Sequence, residues 1–164
     1  MNREKYLRVM SCISSKKYGT LSVKFAGKLL TYITGIIYML TILSLLYGRD
    51  TRVIKVILVP AVSFILLSVF RHLYNAERPY EKYGFEPLIH KDTKGKSFPS
   101  RHVFSIYMCG SAVMYIIPSA GVIIYIMGLF LAVIRVVTGV HFIKDVCAGA
   151  LAGVICGIIG FIII

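Results

Sequence analysis

His141 and Asp145 stand four residues apart at the head of an apolar run, so a helix starting there carries both on one face. A carboxylate beside an imidazole fixes the ring's tautomer and stabilises its cation, which leaves the other nitrogen to attack or to move a proton. Ser100, Arg101 and His102 form a second group, where a charged loop again gives way to apolar sequence. Ser100 follows Pro99 as a candidate helix N-cap, and a helix start offers backbone N–H groups and a positive dipole end to an anion. His102, in that first turn, could give a proton to whatever leaves the anion. Arg71, Arg78 and Arg135 add three permanent cations, whose guanidinium forks match phosphate oxygens better than an ammonium does. Arg135 lies inside the run LAVIRVVTG, where a charge is costly and wants an anionic partner. Each group also has a plainer reading, as a dipole-complementing Asp, an ordinary cap or a snorkelling arginine. Taken together they describe a site for a phosphate ester, attacked by one histidine and protonated by another.

The elements that must position these residues are membrane helices. Of 164 residues 57% are hydrophobic, and the mean hydropathy is +0.78, more apolar surface than a soluble domain of this length can use. Five apolar runs, at about 25–47, 53–70, 102–117, 119–137 and 141–164, are near the roughly 20 residues that span a bilayer. In lipid such runs must be helices, because unpaired backbone groups find no partner there. The fold expected is therefore all-α, a polytopic bundle of about five transmembrane helices over residues 25–164. Residues 1–24 form a separate basic segment, either a helix lying in the interface, with Tyr6, Met10 and Ile13 on one face, or a disordered tail. It has no apolar stretch followed by a cleavage site, so it does not read as a signal peptide. Short links, PSAG at 118–121 and TGV at 138–140, imply tight hairpins on opposite membrane faces. Counting spans then brings Arg71, Arg78, Ser100 to His102, Arg135, His141 and Asp145 to one face.

The motifs RHLYNAERP (71–79), PSRH (99–102) and RVVTGVHFIKD (135–145) resemble those of the type-2 phosphatidic acid phosphatase superfamily, in spacing and in order. That superfamily includes bacterial lipid phosphatases and vanadium haloperoxidases, and the resemblance covers about residues 53–157. It implies that His141 is the nucleophile that becomes a phosphohistidine, that Asp145 orients it, and that His102 is the general acid. It further implies that Arg71, Arg78, Ser100 and Arg135 hold the phosphate, with no metal and no cofactor. Three positions depart from the family pattern. Arg71 replaces a Lys, Ile134 replaces a Ser, and Arg101 replaces a Gly whose N–H contacts phosphate, so that Arg101 either narrows the pocket or adds a head-group contact. Family members typically have six core helices, and this chain reads as five.

The activity expected is hydrolysis of a terminal phosphate or diphosphate on a membrane lipid. Phosphatidic acid, phosphatidylglycerophosphate and undecaprenyl diphosphate stay open as substrates. A catalytically impaired lipid-phosphate-binding or scaffolding protein of the same fold is the alternative. The net charge of +12 comes with no nucleic-acid-binding pattern, so anionic lipid is the expected partner of the basic segments. The four cysteines form no C-x-x-C pair and read as packing residues. Neither a protease pattern, G-x-S-x-G, nor a zinc pattern, H-E-x-x-H, is present. Gly149, Gly153 and Gly157 suit close helix packing within the bundle, with a homodimer interface as the weaker alternative. Of the 19 Lys and Arg residues, 16 fall on the face of the site, namely seven in 1–28, seven in 71–101, Arg135 and Lys144. By the positive-inside rule that face of the cell membrane is cytoplasmic. The resemblance points the other way, because many six-span bacterial relatives work on the outer face. Loss of one helix with a basic N-terminus retained would invert the rest, so the expectation is a cytoplasmic site.

Overall fold

The computed structural model describes residues 1–90 and 93–163, and all regular structure among them is helical. Lys91, counted above on the basic face, and Ile164, the end of the last run, lie outside the described residues. The helices are α1 (Arg3–Ser14), α2 (Gly19–Tyr47), α3 (Arg52–Tyr74), α4 (Pro79–Tyr83), α5 (Arg101–Met114), α6 (Pro118–Val137) and α7 (Ile143–Ile158). A π-helical turn, Ile159–Ile163, prolongs α7. The protein is a multi-pass membrane helix bundle.

Among the described residues four helices, α2, α3, α6, and α7 with its π-helical extension, are by themselves long and apolar enough to cross a bilayer. The expected helix at 102–117 is the 14-residue α5, about 21 Å long at 1.5 Å per residue. That is short of a hydrocarbon core of roughly 30 Å. The difference has a packing cause. Val103, Phe104, Ile106, Tyr107, Met108 and Gly110 to Val113 are all buried, so α5 is enclosed by its neighbours and need not match the lipid. The PSAG segment expected as a turn is the first turn of α6, with Pro118 at its start, and the chain reverses just before it.

Glycines let α6 and α7 close on this central helix. A Cβ on Gly149 would lie 2.6 Å from the Ser100 carbonyl oxygen, and one on Gly153 would lie 2.8 Å from Tyr107 Cβ. One on Gly157 would overlap the Ser111 side chain, and one on Gly128 would meet the Tyr107 ring at 2.7 Å. The small-residue stripe of α7 is thus used inside the chain, against α5. In α3, Pro60 has no N–H to give the Val56 carbonyl, which an unbroken helix would satisfy. Tyr38 of α2 fills the vacancy, its hydroxyl donating to Val56 O at 2.8 Å.

Residues 1–14 form a helix against the bundle. Asn2 caps α1 by accepting from the Lys5 N–H at 3.1 Å. Tyr6 and Met10 are buried, packing near Tyr83, Phe85 and Phe142. α2 begins at Gly19, six residues before the expected start of the first run.

Candidate active site

The site end of the bundle is built by the start of α5, the start of α7, the end of α3 and the loop between α4 and α5. Backbone contacts tie these pieces together. Ser100 N–H donates to Asp145 O at 2.8 Å, and Ser97 N–H to Ala76 O at 2.8 Å. The α6–α7 turn is shaped by Gly139, whose φ of 77° is the left-handed region that disfavours a side chain. A Cβ there would also meet the Phe85 ring at 2.7 Å.

His141, 2% exposed, follows that turn. Its Nδ1 lies 3.4 Å from Asp145 Oδ2, the pair expected from their four-residue spacing. Asp145 Oδ2 also accepts from the Phe142 N–H at 3.0 Å, so one carboxylate both caps α7 and faces the imidazole. Ser97 completes the cluster. Its hydroxyl donates to Asp145 Oδ2 at 2.5 Å and stands 3.4 Å from His141 Nδ1. With Nδ1 on the carboxylate side, Nε2 is the ring nitrogen turned away from Asp145. Tyr6 of α1 donates to the His141 carbonyl at 3.1 Å and so braces the same residue from the N-terminal helix. Burial, then the negative charge of Asp145 and the neighbouring Tyr83, push the Tyr6 phenol well above its usual range, which keeps it a donor at neutral pH.

His141 opens on a cavity of about 550 Å³ lined also by Arg71, Arg78, Arg101, His102, His72, Ser68 and the loop residues Thr93 to Lys96. Arg71 sits in the last turn of α3 and Arg78 just before α4, both buried. Each uses donors to hold the loop. Arg71 donates to the carbonyls of Lys96, Ser97 and Pro99. Arg78 donates to Gly95 O at 3.0 Å, Lys96 O at 3.4 Å and Val140 O at 3.2 Å. Lys96 adopts a φ of 52°, strained for a residue with a side chain, and its carbonyl is the one both arginines grip. Glu81 holds the same loop from α4, accepting from the Gly95 N–H at 2.8 Å and from the Arg78 N–H at 2.8 Å.

The remaining expected residues divide. Arg101 lines the cavity and lies over the Phe64 ring at 5.8 Å. Ser100 occupies the N-cap position of α5, but its side chain makes no cap bond, and its buried hydroxyl has no partner among the described residues. It does not line the cavity. Arg135 does not line it either; it faces a separate cavity that shares His102. Sequence reasoning missed Ser97 and Glu81. Ser97 is one helical turn's distance from Ser100 in sequence, but it lies in irregular chain where spacing says nothing about direction. Among the described residues, no three His, Cys, Asp or Glu side chains converge as a metal site would require.

The sequence profile of the PAP2 superfamily matches residues 52–164. The chain belongs to the PAP2 superfamily. Its solved structural neighbours include LpxE of Aquifex aeolicus, with a TM-score of 0.69 at 23% identity, over 94% of this chain and 93% of that one. A second is the PAP2-type phosphatidylglycerolphosphate phosphatase from Bacillus subtilis, with a TM-score of 0.58 at 18% identity, over 94% and 89% of the two chains. No curated protein matches by sequence. At these identities the neighbours establish a shared fold, over more of the chain than the profile match covers.

Proposed function

We propose that the protein is an integral-membrane lipid phosphate phosphatase acting through a phosphohistidine. The observation that carries this reading is the buried Ser97–Asp145–His141 cluster opening on a cavity that also holds Arg71, Arg78, Arg101 and His102. Nε2 of neutral His141 attacks the terminal phosphorus, and the bond to the lipid oxygen breaks with its electron pair on that oxygen. Protonated His102 supplies the leaving oxygen with its proton. Asp145 stabilises the cationic phosphoimidazole that results. Water then attacks the same phosphorus and passes a proton to His102. The P–N bond breaks back to Nε2, and inorganic phosphate leaves. The guanidinium groups stabilise charge on the phosphoryl oxygens throughout. They supply the positive charge that a divalent ion supplies elsewhere, so the proposed reaction runs in EDTA and is blocked by vanadate, which mimics the five-coordinate phosphorus. The site face is proposed to be cytoplasmic, on the strength of its basic residues.

The test is phosphate release by detergent-purified protein from phosphatidic acid, phosphatidylglycerophosphate and undecaprenyl diphosphate. His141→Ala should abolish release from every substrate. His102→Ala should abolish release from lipids, whereas an aryl phosphate, whose leaving group needs no acid, should still release one equivalent of its phenol in a burst before turnover stalls for want of the base. Labelled phosphate trapped on the His141→Ala protein would overturn the nucleophile. Tight binding of lipid phosphates without any turnover would identify an impaired, lipid-binding relative instead.

A further inference from the structure

The elbow that joins α1 to α2 is a folded turn with a cavity of its own. Ser15 N–H donates to Ser11 O at 2.9 Å and Gly19 N–H to Lys16 O at 2.9 Å, so the chain closes on itself between the two helices. Gly19 permits this, since a Cβ there would overlap the Ile13 carbonyl. The cavity, of about 500 Å³, is lined by Cys12 and Ile13 from the last turn of α1, by Lys16, Lys17 and Tyr18 from the elbow, and by Ser22 from the start of α2. Its depth follows from α2. Leu21 and Phe25, both exposed, open the apolar surface of that span directly after the two lysines. Lys17 Nζ lies 5.4 Å from the centre of the Tyr18 ring, which is itself exposed. A lysine beside a tyrosine at the end of a span marks the head-group layer. Residues 1–28 hold seven Lys and Arg against a single acid, Glu4. The occupant that fits by charge and by depth is therefore the phosphate of an anionic membrane lipid.

We propose that the α1–α2 elbow binds the head group of an anionic phospholipid that is not the substrate, and that this lipid, by fixing α1, steadies His141 and raises turnover. The elbow cavity shares no lining residue with the chamber of His141, and its link to turnover rests on the phosphatase reading above. Lys16 and Lys17 supply the charge, while Ile13 and Tyr18 give the glycerol end of the lipid an apolar wall. The link runs through α1. Tyr6 donates to the His141 carbonyl at 3.1 Å, and Arg3 Nε donates to Tyr83 O at 3.0 Å. A helix of 12 residues is marginal by itself, so α1 keeps its position through what it packs against. A ligand that bridges its last turn to α2 favours the docked helix over a frayed one, and so favours the Tyr6 brace on His141.

The experiment uses the full chain in nanodiscs of phosphatidylcholine, with or without phosphatidylglycerol, a phosphodiester with no terminal phosphate to lose. Two signals are read: hydrolysis of a water-soluble aryl phosphate, and the rate at which N-ethylmaleimide modifies Cys12 once Cys109, Cys147 and Cys156 are replaced. We expect phosphatidylglycerol to slow Cys12 modification and to raise kcat, each at least about threefold. Neither response in the wild-type protein overturns the proposal without recourse to any variant. Lys16→Gln with Lys17→Gln should match the wild type in phosphatidylcholine alone and lose both responses. Equal responses in wild type and variant would reveal a general surface effect and overturn the site. Protection of Cys12 by inorganic phosphate in phosphatidylcholine alone would assign the cavity to a soluble anion, which also defeats the proposal. Tyr6→Phe tests the link apart from the site. It should keep the protection of Cys12 and lose the rise in kcat, and an undiminished rise overturns the link. If the wild-type protein hydrolyses no aryl phosphate in either membrane, the phosphatase reading fails, while Cys12 still reports on the elbow.

Discussion

Ser97 is the residue whose role is least visible in its surroundings along the chain. Asp145 Oδ2 stands 3.4 Å from His141 Nδ1, a long contact, whereas the Ser97 hydroxyl lies 2.5 Å from the same oxygen. The other carboxylate oxygen, Oδ1, is buried with no partner among the described residues. Ser97 and the Phe142 N–H therefore set the direction in which the carboxylate faces the imidazole. Hydrogen bonds to charged groups are worth about 1.5–3 kcal/mol. Ser97→Ala should lower kcat on a lipid phosphate by about tenfold or more, with KM changed less than about threefold. Substrate binding lies with Arg71, Arg78 and Arg101 in this reading, so a loss confined to KM would assign Ser97 to phosphate binding. In this reading Arg71 and Arg78 carry a double duty. Their bonds to the 95–99 carbonyls hold the loop that carries Ser97, so their removal should disturb His141 as well as the phosphate.

At the scale of elements, one helix outside the motifs and one helix–helix contact set the site's geometry. α1 reaches His141 through the Tyr6 hydroxyl. Tyr6→Phe keeps the ring packing but removes that bond, and it should cost about 1 kcal/mol of stability. The pH dependence has a definite sign. The folded-state phenol titrates above the ordinary value of 10.0, chiefly through burial. Its contribution is thus complete below pH 10 and declines as pH rises toward the folded value. Thermal unfolding in detergent should show the wild-type protein losing stability above pH 10 more steeply than Tyr6→Phe, and parallel curves would exclude the bond. The α5–α7 contact is the other case. A side chain at Gly153 would meet Tyr107 Cβ at 2.8 Å and Phe104 O at 2.9 Å, with backbone on one side that cannot give way. Gly153→Leu should separate the two helix starts that carry His102 and His141. Activity should be lost together with several degrees of melting temperature, whereas Gly35→Ala, with open space around it, should be silent.

For the whole molecule, the question is which side of the membrane the site faces. α1 packs at the site end, so the N-terminal segment and the reaction chamber are on the same side. Cys12, on the exposed side of α1, reports that side directly. With Cys109, Cys147 and Cys156 replaced, a membrane-impermeant maleimide should leave Cys12 unmodified in intact cells and label it after lysis. Labelling of intact cells would put the site outside, and the charge asymmetry would then have been overridden during insertion.

Helices, their apolar faces and the motif residues were legible in the sequence because each depends on neighbours a few residues away. Hydropathy marked α2, α3, α6 and α7, and the four-residue step from His141 to Asp145 placed both on one face of α7. The glycine stripe of α7 predicted a close contact within the bundle, and α5 proved to be its partner. Tertiary structure decided the rest. α5 is 14 residues long because it is wrapped by other helices and is not measured against lipid. Ser97 joins the His141–Asp145 cluster across 48 residues of sequence to Asp145, through an irregular loop in which no periodicity fixes a side chain's direction. Ser100 caps by position without using its hydroxyl, and its backbone N–H is bound across the bundle to Asp145 O. Arg135 and His141 come from one motif but line different cavities, because the left-handed turn at Gly139 swings the chain between them. Local spacing names the residues that can do chemistry, and only the packing of distant helices sorts them into one chamber or two.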